Sequence, residues 1–162
     1  MEFFSIDFGN GSLAISPIPG RGGDVAADVS DITAHGFDLV VTMTTTAELA
    51  GVGADDLPQS LAAGGIHWAH LPIQDFGVPG AEVMALWPEL SDQVQAILSN
   101  GGKVLFHCYG GQGRSGMAAL RVMVDAGADP MTALADLRGV RPHAVETDAQ
   151  MEWAMKGAPK RA

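Results

Sequence analysis

The chain has 162 residues, of which 47% are apolar and 17% are charged, with one cysteine and a formal net charge of −10 at pH 7. This length predicts one domain over residues 1–162, and the apolar content excludes a disordered chain. The negative charge argues against nucleic acid or anionic membranes as partners, and the lone cysteine excludes an internal disulfide, which favours a cytoplasmic protein.

The first half of the chain alternates between strand and helix patterns. In chain order we predict strands at 3–8 and 13–18 with a turn at 9–11, a helix from the Asp24 cap to about 35, a strand at 38–43, and short helices after 44–46 and at 58–63. No run is long and apolar enough to span a bilayer, and residues 1–4 lack the basic start of a signal peptide.

The second half continues the alternation. We predict a strand at 67–73, a loop at 74–80, a helix at 81–99, a strand at 103–107, and helices at 114–126, 130–137 and 147–156. This order predicts an α/β fold with a central, mostly parallel twisted sheet of about five strands flanked by helices. Ligands of such sheets bind beyond the carboxyl ends of the strands.

The stretch His107–Gly116, HCYGGQGRSG, carries the strongest functional signal. An apolar strand precedes it and a helix pattern follows it, and this arrangement predicts an anion site at a helix N-terminus. Successive backbone N–H groups can curl around phosphate oxygens where glycines allow it. The predicted substrate-binding residues are Tyr109, Gly110, Gly111, Gln112, Gly113 and Arg114.

Cys108 lies at the floor of this predicted anion site. A lone cysteine is usually a small buried apolar residue, but the arginine six positions later and the intervening glycines favour a reactive thiolate. Arg114 offers a planar fork of donors for two phosphate oxygens. Ser115 could donate to the sulfur, and His107 would shape the loop from beneath.

Asp75 is the predicted proton donor. It follows a predicted strand, in a loop shaped by Gly77 and Pro79, and phosphoryl transfer needs a proton for the leaving oxygen. The alternative is a turn aspartate that caps the next helix.

The motif His107-Cys108-x-x-Gly-x-x-Arg114-Ser115 resembles the signature loop of cysteine-dependent protein phosphatases. The segments 13–20, 71–79 and 141–150 extend the resemblance to the kinase-associated (cyclin-dependent kinase inhibitor) branch of the dual-specificity phosphatases. The resemblance implies a protein tyrosine phosphatase-like fold, a Cys108 nucleophile, Asp75 as general acid and then base, and no metal or other cofactor. In the late segment, residues 141–150, Gln150 would orient water or only cap the last helix, and His143 stands where glycine is expected.

We therefore predict a protein phosphatase of dual-specificity type, with a phosphorylated protein or peptide as its partner and a monomer as the favoured state. The loop lacks the second basic residue of phosphoinositide phosphatases, and Tyr109 is the only tyrosine, so a shallow site for phosphoserine, phosphothreonine or phosphotyrosine is expected. The alternatives are a phosphatase acting on a phosphoinositide or nucleotide, a rhodanese-like sulfur transferase, and a non-catalytic phosphoprotein-binding module. The resemblance alone does not establish a kinase partner.

Three other features have weaker signals. His67 and His70 are three apart on one strand and face opposite sides, so no metal site is predicted. Arg21 is expected to be a solvated loop residue or to reach the rim of the site. Lys156, Lys160 and Arg161 predict a weakly basic, solvated tail.

Overall fold

The computed structural model describes residues 1–157, so Lys160 and Arg161 of the predicted tail lie outside the described residues. The elements are, in chain order, β1 (Phe4–Phe8), β2 (Gly11–Ser16), α1 (Val25–His35), β3 (Leu39–Thr42), α2 (Thr46–Gly51), α3 (Leu57–Ala63), β4 (His67–His70), α4 (Ala81–Ser99), β5 (Lys103–His107), α5 (Arg114–Asp125), α6 (Pro130–Val140) and α7 (Asp148–Met155). Within residues 1–157, no helix combines the length and hydropathy needed to cross a membrane.

The five strands form one sheet in the order β1-β2-β5-β3-β4. β1 pairs antiparallel with β2, and the pairs β2–β5, β5–β3 and β3–β4 are parallel. The predicted α/β fold with a mostly parallel sheet of about five strands is confirmed.

Two hydrophobic cores lie on opposite faces of the sheet. Leu13, Leu39, Val104 and Phe106 pack with residues of α4–α7, whereas the alternating positions Ala14, Val40 and Leu105 pack with α1–α3. Successive side chains of a strand point to opposite faces, so a strand covered by helices on both faces must be apolar at every position. This explains the run 104–106 in β5, the central strand.

Several element boundaries differ from the predicted ones, and those of β2 and β4 have a local cause. β2 begins at Gly11 because Gly11 pairs with Phe8, which leaves only residues 9 and 10 in the turn. It ends before Pro17, where the chain turns and the Ile18 N–H donates to the Tyr109 carbonyl at 3.1 Å. β4 ends at His70 rather than 73, since Pro72 lacks an N–H to continue a ladder.

Candidate active site

The site lies beyond the carboxyl end of β5, the central strand. We call residues 108–113, between β5 and α5, the cysteine loop, and residues 74–80, which follow β4 and precede α4, the acid loop. His107 pairs with Ser16 at the end of β2 and with Thr42 at the end of β3. Parallel strands therefore bring three strand ends beneath the cysteine loop.

The carbonyl groups of residues 108–112 all accept hydrogen bonds from the protein around the loop. The donors are His107 Nδ1, the Ile18 N–H, the Arg141 guanidinium (to two carbonyls) and the Val145 N–H, at 3.0–3.3 Å. The C=O and N–H of a peptide unit point in opposite directions. Binding the carbonyls on the outside therefore turns the N–H groups toward the inside of the loop, as an anion site requires.

Two glycines of the cysteine loop lie close to other groups. The neighbours of Gly111 are backbone atoms, so no side chain fits there, whereas Gly113 faces the end of the exposed Glu146 side chain, which can move away. Gly111 has φ of +71°, and a Cβ there would lie 2.4 Å from the Ser16 carbonyl carbon. A Cβ at Gly113, the N-cap of α5, would lie 2.4 Å from Glu146 Oε1. No side chain caps α5, so its positive end faces the cysteine loop.

Cys108 Sγ lies 3.2 Å from Ser115 Oγ in the first turn of α5. Both side chains are buried, with 3% and 0% of their surfaces exposed. The sequence predicted this pair, and the hydroxyl is in place to donate to a thiolate.

Arg114, the first residue of α5, is almost fully buried, with 1% of its surface exposed. Its Nη1 and Nη2 donate to the two carboxylate oxygens of Glu48, both at 2.8 Å, and Nη1 also donates to the Ile73 carbonyl at 2.8 Å. Burial of the guanidinium lowers the pKa of Arg114. The hydrogen bonds to Glu48 and the charges of Cys108 and Asp75 outweigh this effect and raise that pKa above its ordinary value. Among residues 1–157, Nε has no hydrogen-bond partner, so one donor remains for a ligand.

Glu48 is a residue that the sequence analysis missed. Its carboxylate also accepts from the Thr45 N–H at 2.8 Å in the capping box of α2. The hydrogen bonds from Arg114 lower the pKa of Glu48 below its usual range. The Thr45-x-x-Glu48 pattern predicts such a capping box, but only the tertiary structure places it against α5.

His107 precedes Cys108 and is fully buried, and burial lowers its pKa to about 4. Its neutral ring has Nδ1 3.3 Å from the Cys108 carbonyl and Nε2 2.7 Å from Thr42 Oγ1. Nδ1 must carry the proton because a carbonyl only accepts, so the Thr42 hydroxyl donates to Nε2. Trp68 Nε1 in turn donates to Thr42 Oγ1 at 2.8 Å.

Asp75 lies over the site on the acid loop. Its Oδ1 is 3.3 Å from Arg114 Nη2 and accepts from the Phe76 N–H at 3.0 Å, while 56% of the side chain remains exposed. Phe76 is 60% exposed and has φ of +61°, a backbone conformation that phenylalanine rarely adopts. The predicted proton donor therefore lies against the guanidinium of Arg114, the first residue of the helix that follows the cysteine loop.

Gln150 is fully buried at the start of α7. Its Oε1 accepts from the N–H groups of Glu146 and Thr147 at 3.0 and 3.2 Å, so it does cap the helix. Its Nε2 also donates to the Gly77 carbonyl of the acid loop at 3.1 Å, a contact that the sequence did not predict.

Other side chains complete the rim. The Arg141 guanidinium, which binds the cysteine loop, stacks 4.4 Å from the centre of the Phe4 ring. Arg21 does reach the rim, 5.2 Å over the ring of Tyr109. His143 has φ of +67°, which explains why glycine was expected there.

The family comparisons agree with the predicted resemblance. The family model for cyclin-dependent kinase inhibitor 3 matches residues 19–134. The mouse cyclin-dependent kinase inhibitor 3 is 31% identical over 132 residues, which cover 80% of this chain and 61% of the relative. The chain thus spans about three-fifths of the length of the curated relatives it matches.

Two solved structures share the fold. Kinase-associated phosphatase, with its catalytic-site cysteine replaced by serine, superposes with a TM-score of 0.83 at 24% identity over 95% of this chain and 92% of that one. The active form of Tk-PTP superposes with a TM-score of 0.70 at 31% identity over 91% of both chains. The predicted protein tyrosine phosphatase-like fold is confirmed, and the chain belongs to the cyclin-dependent kinase inhibitor 3 family, in the kinase-associated branch of the dual-specificity phosphatases.

Proposed function

We propose that this protein is a dual-specificity protein phosphatase that acts through a cysteinyl-phosphate intermediate, with residues 1–162 as one catalytic domain and no cofactor. The observation that carries the proposal is that the carbonyls of residues 108–112 all accept hydrogen bonds from surrounding groups, from which we infer that the N–H groups of the cysteine loop are free to face a ligand at Cys108. Arg114 adds a buried Nε–H without a partner among residues 1–157. A phosphoryl dianion matches this set of donors.

In the first step the Cys108 sulfur bonds to phosphorus while the bond from phosphorus to the leaving oxygen breaks. Asp75 gives its proton to that oxygen. The bound dianion competes with Asp75 for Arg114 Nη2, now 3.3 Å from Oδ1, which frees the carboxyl group to face the leaving oxygen.

In the second step water attacks phosphorus and gives a proton to Asp75. The sulfur–phosphorus bond breaks, and its electron pair returns to Cys108. The Ser115 hydroxyl, 3.2 Å from the sulfur, donates to the departing thiolate and stabilises its charge.

A phosphorylated protein side chain is the proposed substrate class. Phe76 and Val78 on the acid loop and Tyr109 on the cysteine loop are exposed large apolar side chains, at 60%, 40% and 38%. Tyr109 is the only tyrosine, and it belongs to the cysteine loop itself, so no second tyrosine walls a deep slot. A shallow site accepts phosphoserine and phosphothreonine as well as phosphotyrosine.

The experiment is a turnover panel of phosphotyrosine, phosphoserine and phosphothreonine peptides, phosphoinositides and nucleotides, with cyanide-dependent sulfur transfer measured beside it. We expect the highest kcat/KM on phosphopeptides. Cys108→Ser should lose at least about 10⁴-fold in rate and still bind phosphopeptide. Asp75→Asn should lose about 10²- to 10⁴-fold.

Four outcomes would contradict the proposal. A preference for phosphoinositides or nucleotides would show that the substrate is not a phosphorylated protein. Cyanide-dependent sulfur transfer would show that the protein is a sulfur transferase and not a phosphatase. Binding of phosphopeptides by the wild type without turnover would make the protein a non-catalytic phosphoprotein-binding module. Turnover confined to phosphotyrosine would exclude dual specificity.

A further inference from the structure

Among residues 1–157, two polar contacts attach the acid loop to the rest of the site. One is Asp75 Oδ1, 3.3 Å from Arg114 Nη2, and the other is the Gly77 carbonyl, which accepts from Gln150 Nε2 at 3.1 Å. A bound phosphoryl group would displace the first of these contacts. The Gln150 contact would then be the one that still holds Asp75 above the substrate.

The side chain of Gln150 is fixed for this task. It is fully buried, and its Oε1 already accepts from two backbone N–H groups of the α7 cap. An amide oxygen has two lone pairs, so no acceptor remains to receive a proton from a water molecule. Helix capping alone does not account for Gln150, because its Nε2 also donates to the acid loop. Water orientation through its oxygen does not account for it either, because both lone pairs of Oε1 are in use.

The segment that carries Gln150 also touches the cysteine loop. The Val145 N–H donates to the Gln112 carbonyl at 3.0 Å, and a Cβ on Gly113 would lie 3.1 Å from Gln150 Oε1. Residues 145–150, which lead into α7, are therefore hydrogen-bonded to both loops.

We propose that Gln150 is a positioning residue that holds the acid loop in place, so that it acts on phosphoryl transfer through Asp75 and not by orienting water. This inference rests on the proposed phosphatase function. Loss of the Nε2 donor leaves Asp75 chemically intact but poorly placed, which slows the step in which the leaving oxygen is protonated.

Kinetics with two aryl phosphates tests the proposal. The ratio kcat/KM reports the steps up to loss of the leaving group, whereas water attack on the cysteinyl phosphate appears only in kcat. For Gln150→Met we expect kcat/KM to fall about 10- to 10²-fold with phenyl phosphate, a poor leaving group that needs the acid. With p-nitrophenyl phosphate, a good leaving group, the fall should stay within about threefold.

Thr147→Val is the matched control. It removes the hydroxyl that accepts from the Gln150 N–H at 3.1 Å but keeps the Nε2 contact with Gly77, so both kcat/KM values should stay near wild type. Gln150→Glu keeps the capping oxygen and replaces the Nε2 donor, and it should repeat the leaving-group effect if the methionine variant does not fold.

Opposite outcomes overturn the proposal. Unchanged kcat/KM with an equal fall in kcat for both substrates would make Gln150 a water-orienting residue. Equal effects of Thr147→Val and Gln150→Met would make it a helix cap only.

Amide hydrogen exchange separates a failure of this inference from a failure of the phosphatase proposal. Gln150→Met should speed exchange at residues 76–78 by at least about tenfold relative to wild type. This readout needs no turnover. Unchanged exchange would reject the positioning role even if the enzyme is active, and faster exchange in a protein without phosphatase activity would reject only the proposed function.

Discussion

The cysteine loop and the acid loop meet above Cys108 but are held in different ways. Every carbonyl of residues 108–112 has a partner, and the loop continues into α5, whose residues are almost all buried. The acid loop has two polar contacts with the part of the chain that the structure describes, and Phe76 on it is exposed at positive φ. An anion binds more strongly when its hydrogen-bond donors are already fixed in place. A loop that carries a proton donor must instead move so that each substrate can enter and each product can leave.

Amide exchange measures this contrast directly. Amides at 76–78 should exchange at least about 10³-fold faster than those at 117–122 in α5, because a loop held at two points opens locally and a buried helix opens only with the whole domain. Native-state exchange followed by nuclear magnetic resonance gives both rates in one sample. Similar protection in the two regions would show that the acid loop is held as firmly as α5.

Arg114→Lys tests whether the rigid side of the site serves both folding and catalysis. Lysine cannot bind both Glu48 oxygens and a phosphate, so kcat/KM should fall about 10³-fold. The free energy of unfolding should fall by about 1–3 kcal/mol because Glu48 loses its bidentate partner.

Asp75→Asn is the matching variant on the acid loop. Its side chain is 56% exposed, so the free energy of unfolding should stay within about 0.5 kcal/mol of wild type while the rate falls. Urea unfolding of the two variants makes the comparison. Equal destabilisation by both substitutions would show that the acid loop is as much a part of the folding core as the cysteine loop.

His107 gives the buried side of the site a pH dependence. Its pKa is about 4 in the folded chain because of burial, below the ordinary value of 6.5. Between pH 4 and pH 6.5 the imidazole is therefore protonated in the unfolded chain but neutral in the folded chain. The contribution of His107 to stability is fully present above pH 6.5 and is lost as the pH falls toward 4. The loss between pH 7 and pH 5 should be on the order of 2 kcal/mol.

Denaturant unfolding over this pH range measures the loss. His107→Gln should flatten the profile, whereas His67→Gln, a change at an exposed histidine, should leave it as in wild type. If His107→Gln does not fold, a nuclear magnetic resonance titration of the wild-type ring provides the test, and protonation of folded His107 above pH 6 would contradict the prediction.

Arg141→Lys should have the smallest effect. Arg141 Nε and Nη2 donate to the Gly111 and Gly110 carbonyls, and its guanidinium stacks on Phe4. Lysine keeps the charge but not the fork, so kcat/KM should fall about three- to tenfold, with a matching loss of affinity for inorganic phosphate as an inhibitor. Arg138→Lys, which changes donors to the Ala144 and Val145 carbonyls, is the matched control on the neighbouring turn. An Arg141→Lys enzyme with wild-type phosphate affinity would mean that the loop holds its shape without this side chain.

The sequence by itself determined the elements and the local chemistry. Apolar runs at strand length predicted β3 and β5, and the spacing from Cys108 to Arg114 predicted a thiol and a cation at the two ends of one loop. These features depend on residues close in the chain, where backbone geometry alone fixes what can meet. The pairing of Cys108 with Ser115 is of this kind.

Only the tertiary structure decided how distant segments share the site. Glu48, Thr42 and Arg141 carry ordinary local signals, and nothing in their own segments says that they lie against Arg114, His107 or the cysteine loop. The link from Gln150 to Gly77 joins residues 73 positions apart. Such contacts follow from the order β1-β2-β5-β3-β4 and the packing of α5 and α7, which bring together groups whose separation in the chain carries no information about their distance in space.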